Sequence, residues 1–460
     1  MTTLARARAR PPSVDRVLSI LATDRVEVSE RDALVVLVRA VLEEERRRLA
    51  TGAEPTADRD LARAVVDRLE QLDDPMFTIP PHVINATGVI LHTNLGRAPW
   101  PRAARVAAVA AASSYGYLEL DAATGRRGSR YRVAEDYLVA LTGAEDAIIV
   151  TNNAAAIALA VGIVGRRGSV VVSRGELVEI GGGVRIPDIL ARAGVRLIEV
   201  GTTNRTRAAD FAGPLADGRA KAVLRVHPSN FAVTGFTESA DLAEVATIAH
   251  QHGAIVIDDL GSGAFLDTGA FGLAHEPTPT ERLAAGADIV AFSGDKLVGG
   301  PQAGLIVGRA DLIARLRRDP LARAMRPDKA ILAGVAATLA IYRAGRATID
   351  IPVWQLIALD LEALRTRAER IAAITGRSDV TVVPLESAVG GGSLPGQLLP
   401  SIGVAVRVPS PTRALATLRG GPDRILARIV DDAVAFDLRT VQPFDDGVVA
   451  RRIADLGARS

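Results

Sequence analysis

The sequence predicts an α/β protein in three parts: a helical unit, a large domain with a mostly parallel sheet between helices, and a smaller α/β domain. Three observations predict it. From Ile84 onward, short β-branched runs alternate with helix-like stretches, the pattern of repeated strand–helix–strand units. Those runs are near-continuously apolar, as strands buried on both faces must be. The first 76 residues contain no Phe, Trp or Tyr and carry only a helical period.

A chain of 460 residues is too long for one ordinary domain. With 48% apolar and 23% charged residues, it can build a large core and keep a wettable surface. Aromatics are only 3%, so Ala, Val, Leu and Ile must fill that core. No apolar run reaches membrane-span length, and the Arg-rich start Met1–Pro12 lacks the apolar stretch of a secretory signal. The absence of Cys excludes disulfides and thiolate metal sites, and a cytoplasmic location with no membrane partner is expected. A net charge of +2 does not argue for nucleic acid by itself. The local candidates are Arg6, Arg8 and Arg10, then Arg46, Arg47 and Arg48, which a solvated tail and a helix end also explain.

Within the helical unit (residues 1–76), Ser29 and Asp32 form a capping-box-like start, and Leu34, Leu37, Val38, Val41 and Leu42 share one face. Charge from Glu43 to Arg48 and then Thr51-Gly52 end that helix. A second follows from about Ala57, with Leu61, Val65 and Leu69 in register. Asp74-Pro75 and Pro80-Pro81 mark the boundary. In the large domain (77–350), strands are expected at Ala147–Val150, Val170–Ser173, Leu197–Val200, Ala222–Val226, Ala254–Ile257 and Ile289–Phe292, with a helix at Asp241–His252. Gly304–Val307 follows too closely for a parallel crossover and should run antiparallel. Asp311–Arg326 reads as a basic helix. The small domain (351–460) should open with one long helix from Val353 to about Thr375, followed by Val380–Pro384 and strands near Ile402–Val408 and Ile425–Phe436.

The chemistry concentrates at strand ends. Lys296, one of only three lysines beside Lys221 and Lys329, follows a buried strand in Ser293-Gly294-Asp295-Lys296. Desolvation disfavours its charge, which suits an amine that forms a Schiff base. Earlier, the run Ile255–Ile257 ends in Asp258-Asp259-Leu260-Gly261-Ser262-Gly263. A carboxylate at that edge can pair with a protonated pyridine nitrogen. Asp258, directly after the apolar run, is preferred as that partner, with Asp259 then capping or supporting it; the sequence leaves open which of the two acids meets the nitrogen. Val150-Thr151-Asn152-Asn153-Ala154 passes from strand to Ala-rich helix, whose first backbone N–H groups favour a phosphate. His227, at the end of Ala222–Val226, could touch a cofactor ring, and Asn230 its phenolic oxygen; a structural histidine fits equally well. Helix-start phosphate site, strand-end Asp and Ser293-x-x-Lys296, in that order, are the parts of a fold-type-I pyridoxal-phosphate-dependent enzyme, so pyridoxal 5′-phosphate is the expected cofactor. His250 and His252 lack metal-ligand spacing, and no Walker loop or dinucleotide fingerprint is present.

The stretch Asn85-Ala86-Thr87-Gly88-Val89-Ile90-Leu91-His92-Thr93-Asn94-Leu95-Gly96-Arg97 resembles the bacterial selenocysteine synthase family. So do Ser293 to Gly304, Ser173 to Gly182, and Gly390 to Pro395. The likeness runs from about residue 80 to the C-terminus, and the helical unit matches by position and character. The resemblance implies that seryl-tRNA(Sec) displaces Lys296 from the cofactor, that Lys296 removes the α-proton, and that the serine hydroxyl leaves to give a dehydroalanyl group. Selenium from selenophosphate then adds. It further implies an anion pocket of Arg97, Arg323 and Arg326, substrate contacts from Thr202 and Thr203, and Asp295 near the substrate. A tRNA-binding N-terminal unit and a homodecamer of dimers complete the family picture. Related ammonia-lyases acting on amino sugar acids share the lysine segment; the N-terminal unit and the three arginines favour the tRNA enzyme. A catalytically silent tRNA-binding protein is disfavoured by Lys296 and Asp258.

Overall fold

The computed structural model describes residues 10–24, 31–73, 79–127, 132–165, 168–180, 183–229, 231, 233–421 and 423–456. The chain forms two compact units, Met1–His82 and Val83–Ser460.

The first unit holds α1 (Val14–Thr23), α2 (Arg31–Ala50) and α3 (Asp58–Asp73). Helix α1 was not expected, although its signals are present: Ser13 caps it by accepting the Arg16 N–H, and Val17 and Leu21 lie one turn apart on its buried face. Val17, Leu21, Val38, Leu42, Leu61 and Val65 make a small aliphatic core. Ser29, together with Arg6 and Arg8, lies outside the described residues. Arg46, Arg47 and Arg48 are not a free basic patch, because Glu43 pairs with the first two and buried Glu45 with the third. Glu45 also accepts from the Thr56 N–H at 2.9 Å, tying α2 to the turn before α3, and these partners hold its carboxyl down at about 2.

In the second unit the central sheet has seven strands: β1 (Asp146–Val150), β2 (Ser169–Ser173), β3 (Arg196–Val200), β4 (Ala222–Val226), β5 (Ile255–Gly261), β6 (Ile289–Ser293) and β7 (Gly304–Gly308). Their order is β1-β7-β6-β5-β4-β2-β3. The run from β6 to β3 is parallel throughout, and β7 is antiparallel to both β6 and β1. Both faces are covered: Val223, Val256 and Val290 enter one aliphatic core, and Leu224, Ile257 and Ala291 the other. Helix α4 (Asn153–Gly162) covers the second face, and α5 (Leu242–Gln251) the first, capped by Asp241.

The basic segment after β7 is two helices, α6 (Ala310–Arg318) and α7 (Pro320–Ala324), because Asp319 leaves helical geometry to cap α7 ahead of Pro320. Helix α8 (Lys329–Arg343) follows. The single long helix expected from Val353 is also divided, into α9 (Pro352–Ile357) and α10 (Leu361–Thr375), where Asp360 turns extended and accepts the N–H groups of Glu362 and Ala363. The C-terminal sheet, in the order β8 (Val380–Ala388), β9 (Leu398–Val406), β11 (Ala433–Asp437), β10 (Arg428–Val430), is wholly antiparallel. Asp431 and Asp432, both at positive φ, turn the chain between β10 and β11. Ile84-Asn85 pairs in parallel with Ile425-Leu426, so the chain enters this unit alongside C-terminal residues rather than on the large sheet. Among the described residues no helix is long and apolar enough to cross a membrane.

Candidate active site

The parallel strands end at one sheet edge, and there a cavity of about 290 Å³ opens. It is lined by Asn152 and Asn153 after β1, His227 after β4, Asp259 within β5, Ser293 at the end of β6 and Lys296 after it. Thr93, Arg97, Gln302 and Gly391 close it from other segments. The expected strand-end positions therefore converge, with one exchange.

Lys296 sits in a loop pinned from several sides. Leu297 N–H donates to Ser262 C=O at 3.1 Å, and Gly294 N–H to Ala303 C=O at 2.9 Å. The Tyr342 hydroxyl spans the carbonyls of Leu297 and Val298, each at 3.0 Å, and itself accepts from the buried Trp354 Nε1–H. Burial lowers the Lys296 pKa; Asp259 nearby opposes the shift and Arg97 adds to it. The amine is held where its neutral form is accessible, as a nucleophile or base requires.

Asp258, taken from sequence as the cofactor partner, is turned away from the pocket. Successive strand residues face opposite sides, and Asp258 is wholly buried against Arg282, which donates from Nε at 2.7 Å and Nη2 at 2.8 Å. Asp259 takes the pocket side. It accepts from Asn153 Nδ2 at 2.8 Å, and burial pushes its carboxyl up to about 6. Strand β5 runs on to Gly261, beyond the apolar run, so both acids are strand residues and the pleat assigns their faces.

Asn152 caps α4, its side chain accepting the Ala155 N–H at 2.9 Å. The other backbone N–H groups of that first turn have no intrahelical partner. Two buried polar atoms in the pocket lack a partner: Asn153 Oδ1 and His227 Nδ1. Burial lowers the His227 pKa against the pull of Glu276, whose carboxylate lies 3.7 Å from Nδ1 and accepts from the Ser262 hydroxyl. Asn230 lies outside the described residues.

Arg97, at a left-handed φ of 62°, donates to Asp295 at 2.7 Å, so the residue before the lysine fixes the arginine at the pocket wall. Arg323 and Arg326 do not join it within one chain: neither lines the pocket, Arg323 is exposed on α7, and Arg326 pairs with Glu119 at 3.2 Å. Thr202 and Thr203 line a second cavity of about 490 Å³, which shares Val226, His227 and Pro228 with the first.

Several residues were not anticipated. Arg225, the charged residue in an otherwise apolar strand, is buried and donates to Glu176 at 2.8 Å; a buried charge demands such a partner, and that was the available signal. Arg282 and Glu276 gave no comparable signal, being polar residues in loop-like or helical sequence.

The pocket fits pyridoxal phosphate on its own atoms. It offers an amine whose charge burial disfavours, a carboxylate whose pKa burial raises, two buried polar atoms without hydrogen-bond partners and an open helix N-terminus. Comparison with known proteins agrees. Residues 83–442 match the family described as L-seryl-tRNA selenium transferase. The chain is 41% identical over 451 residues to the L-seryl-tRNA(Sec) selenium transferase of Moorella thermoacetica, covering 96% of this chain and 95% of that one. It is 46% identical over 382 residues to that of Solidesulfovibrio magneticus, 81% of each chain, and 43% identical over 439 residues to that of Rhizobium meliloti, 93% of each. Among solved structures, D-glucosaminate-6-phosphate ammonia-lyase shares the fold, with a TM-score of 0.60 at 22% identity over 85% of this chain and 98% of that one. The site and the relatives thus point the same way: this chain belongs to the L-seryl-tRNA selenium transferase family of pyridoxal-phosphate enzymes.

Proposed function

We propose that the protein converts L-seryl-tRNA(Sec) to L-selenocysteinyl-tRNA(Sec), with selenophosphate as the selenium donor. The observation that carries this reading is the Lys296 amine, buried in one pocket with Asp259, His227 and the start of α4, and walled by Arg97. Lys296 would hold the cofactor, with Asp259 to pair with its pyridine nitrogen and His227 beside its ring. The first N–H groups of α4, with Asn152, Asn153 and Ser293, would receive its phosphate. When bound, pyridoxal phosphate supplies an electron sink for charge developing at the serine α-carbon. Lys296, with its pKa lowered by burial, takes the α-proton and delivers a proton to the departing β-hydroxyl, which leaves as water. Selenium of selenophosphate then bonds to the β-carbon while the α-carbon takes back a proton, and water cleaves the Se–P bond, releasing phosphate and leaving the selenol.

Arg97 supports anion recognition beside the lysine, fixed in place by Asp295; its planar donors suit a phosphate-bearing ligand. Arg323 and Arg326 reach such an anion from a second copy of the chain, consistent with a homo-oligomer of dimers, a decamer in the family picture. Thr202 and Thr203 face the substrate side. The helical unit, placed at about residues 1–76, binds the tRNA.

The test is direct: purified protein loaded with cofactor, seryl-tRNA(Sec) and radiolabelled selenophosphate. Label should appear on the amino acid esterified to the tRNA. A cofactor-loaded protein that leaves seryl-tRNA(Sec) unlabelled while deaminating a small amino acid would overturn the reading.

A further inference from the structure

Resting on that reading, the structure also bears on where the end of the tRNA lies. A seryl ester is joined directly to the 3′-terminal nucleoside, so a serine placed at Lys296 brings that nucleoside into the neighbouring space. The neighbouring space is the second cavity, of about 490 Å³, within the usual range of small-molecule sites and sharing Val226, His227 and Pro228 with the first.

Next in sequence to Thr237, which lines this cavity, is Phe236, 76% exposed in a chain that is only 3% aromatic. Its ring is not loose. The Arg205 guanidinium lies over one face, 4.4 Å from the centroid, and Arg205 is held by Glu238, to which Nε donates at 2.9 Å. Asn204 Nδ2 donates to the Phe236 carbonyl at 2.7 Å. Asn204, Arg205 and Glu238 all line the cavity. An exposed phenyl ring with one face backed by an anchored guanidinium, on a backbone tethered to Asn204, is a pre-organised platform, and the flat uncharged surface such a platform accepts is a nucleobase. We propose that Phe236, braced by Arg205, stacks the base of the 3′-terminal nucleoside of the aminoacyl-tRNA, with the cavity behind it receiving the ribose.

The test uses the cofactor-loaded full-length protein and two stable amides: 3′-seryl-amido-3′-deoxyadenosine and serine methylamide. Binding is read as the shift in cofactor absorbance. Stacking on one aromatic ring predicts that the nucleoside amide binds at least about tenfold more tightly than the methylamide. Phe236→Ala should abolish that advantage and leave methylamide binding unchanged, whereas Phe236→Trp should retain it. Equal affinity of the wild-type protein for the two amides overturns the platform but leaves the seryl-transfer reading standing. No absorbance shift with either amide overturns both. Loss of the nucleoside advantage in Phe236→Ala together with a changed oligomeric state in size-exclusion chromatography overturns the platform and makes Phe236 a subunit contact.

Discussion

The assignment of Asp258 and Asp259 to opposite sides of one strand can be tested by replacing each with Asn. Asp259 sits in a pocket that pushes its carboxyl from an ordinary value near 3.9 up to about 6. A folded-state pKa raised above the unfolded one means that the ionised carboxylate opposes folding. That penalty is absent below about pH 4, grows between 4 and 6, and is complete above 6, where it amounts to about 3 kcal/mol. Cofactor-free Asp259→Asn should therefore be at least as stable as wild type at pH 7.5, and its advantage should vanish at pH 4. The same variant should hold pyridoxal phosphate poorly, having lost the charge for the pyridine nitrogen. Asp258→Asn should do the reverse. It leaves the part-buried Arg282 guanidinium without its carboxylate, a change that costs about 3 kcal/mol, the low end for a buried pair. At about 2.1 cal/mol/K per residue over the unit Val83–Ser460, that lowers Tm by about 4 °C. The assay is thermal unfolding of both cofactor-free variants at the two pH values, with cofactor affinity measured by equilibrium dialysis. If Asp258→Asn keeps its Tm and loses cofactor while Asp259→Asn loses Tm, the strand faces have been assigned the wrong way round.

Borohydride treatment of the yellow, cofactor-loaded protein should fix the label on the peptide containing Lys296; recovery on Lys221 or Lys329 would refute the site. Arg97→Ala should leave the cofactor spectrum intact and lower selenium transfer at least a hundredfold, as loss of a charged group aimed at a reacting anion does; loss of cofactor instead would move Arg97 into the cofactor phosphate site. Arg323→Ala and Arg326→Ala should behave likewise, and mixing either with Lys296→Ala should restore activity if the two sites belong to different copies. Removing residues 1–76 should spare the cofactor-loaded core and weaken tRNA(Sec) binding strongly, while the intact protein's affinity should fall steeply with salt; unchanged binding would take the tRNA role away from that unit.

Most of the large sheet could be read from the sequence because a parallel strand is buried on both faces and so spells itself as an unbroken apolar run. The same property hid the pleat. Val256 and Ile257 are both apolar, so nothing in the run says which of them shares a face with α4; in the fold it is Ile257, and Asp259 goes with it. Helix ends were misread where one polar residue decides them. Asp319 and Asp360 each break a helical pattern by turning extended and capping the next helix, and a hydrophobic period carries straight through such a point. The arginines are a different case. Arg323 and Arg326 were linked to Arg97 through the family likeness, and a single chain does not bring the three together.

Near residues 88 and 391 the chain packs so closely that there is no room for a side chain. Gly88, at φ 77°, backs onto the buried Asp437 carboxylate, which Ser387 at 2.9 Å and Ser401 at 2.6 Å hold in place; any Cβ there would collide with it. Three residues on, Leu91 N–H donates to Val389 C=O at 2.8 Å, and Gly391 lies against the Leu91 carbonyl with 3.1 Å between its missing Cβ and Thr93 Oγ1. Thr93 and Gly391 both line the lysine pocket, and Arg97, four residues further, is clasped by Asp295. Segments near residues 90, 295 and 390 are thus locked to one another at the pocket wall by glycines and a part-buried ion pair. A bulkier residue at Gly88 or Gly391 would displace the loop that carries Thr93 and Arg97. The glycines therefore hold the loop that carries Thr93 and Arg97 at the pocket wall.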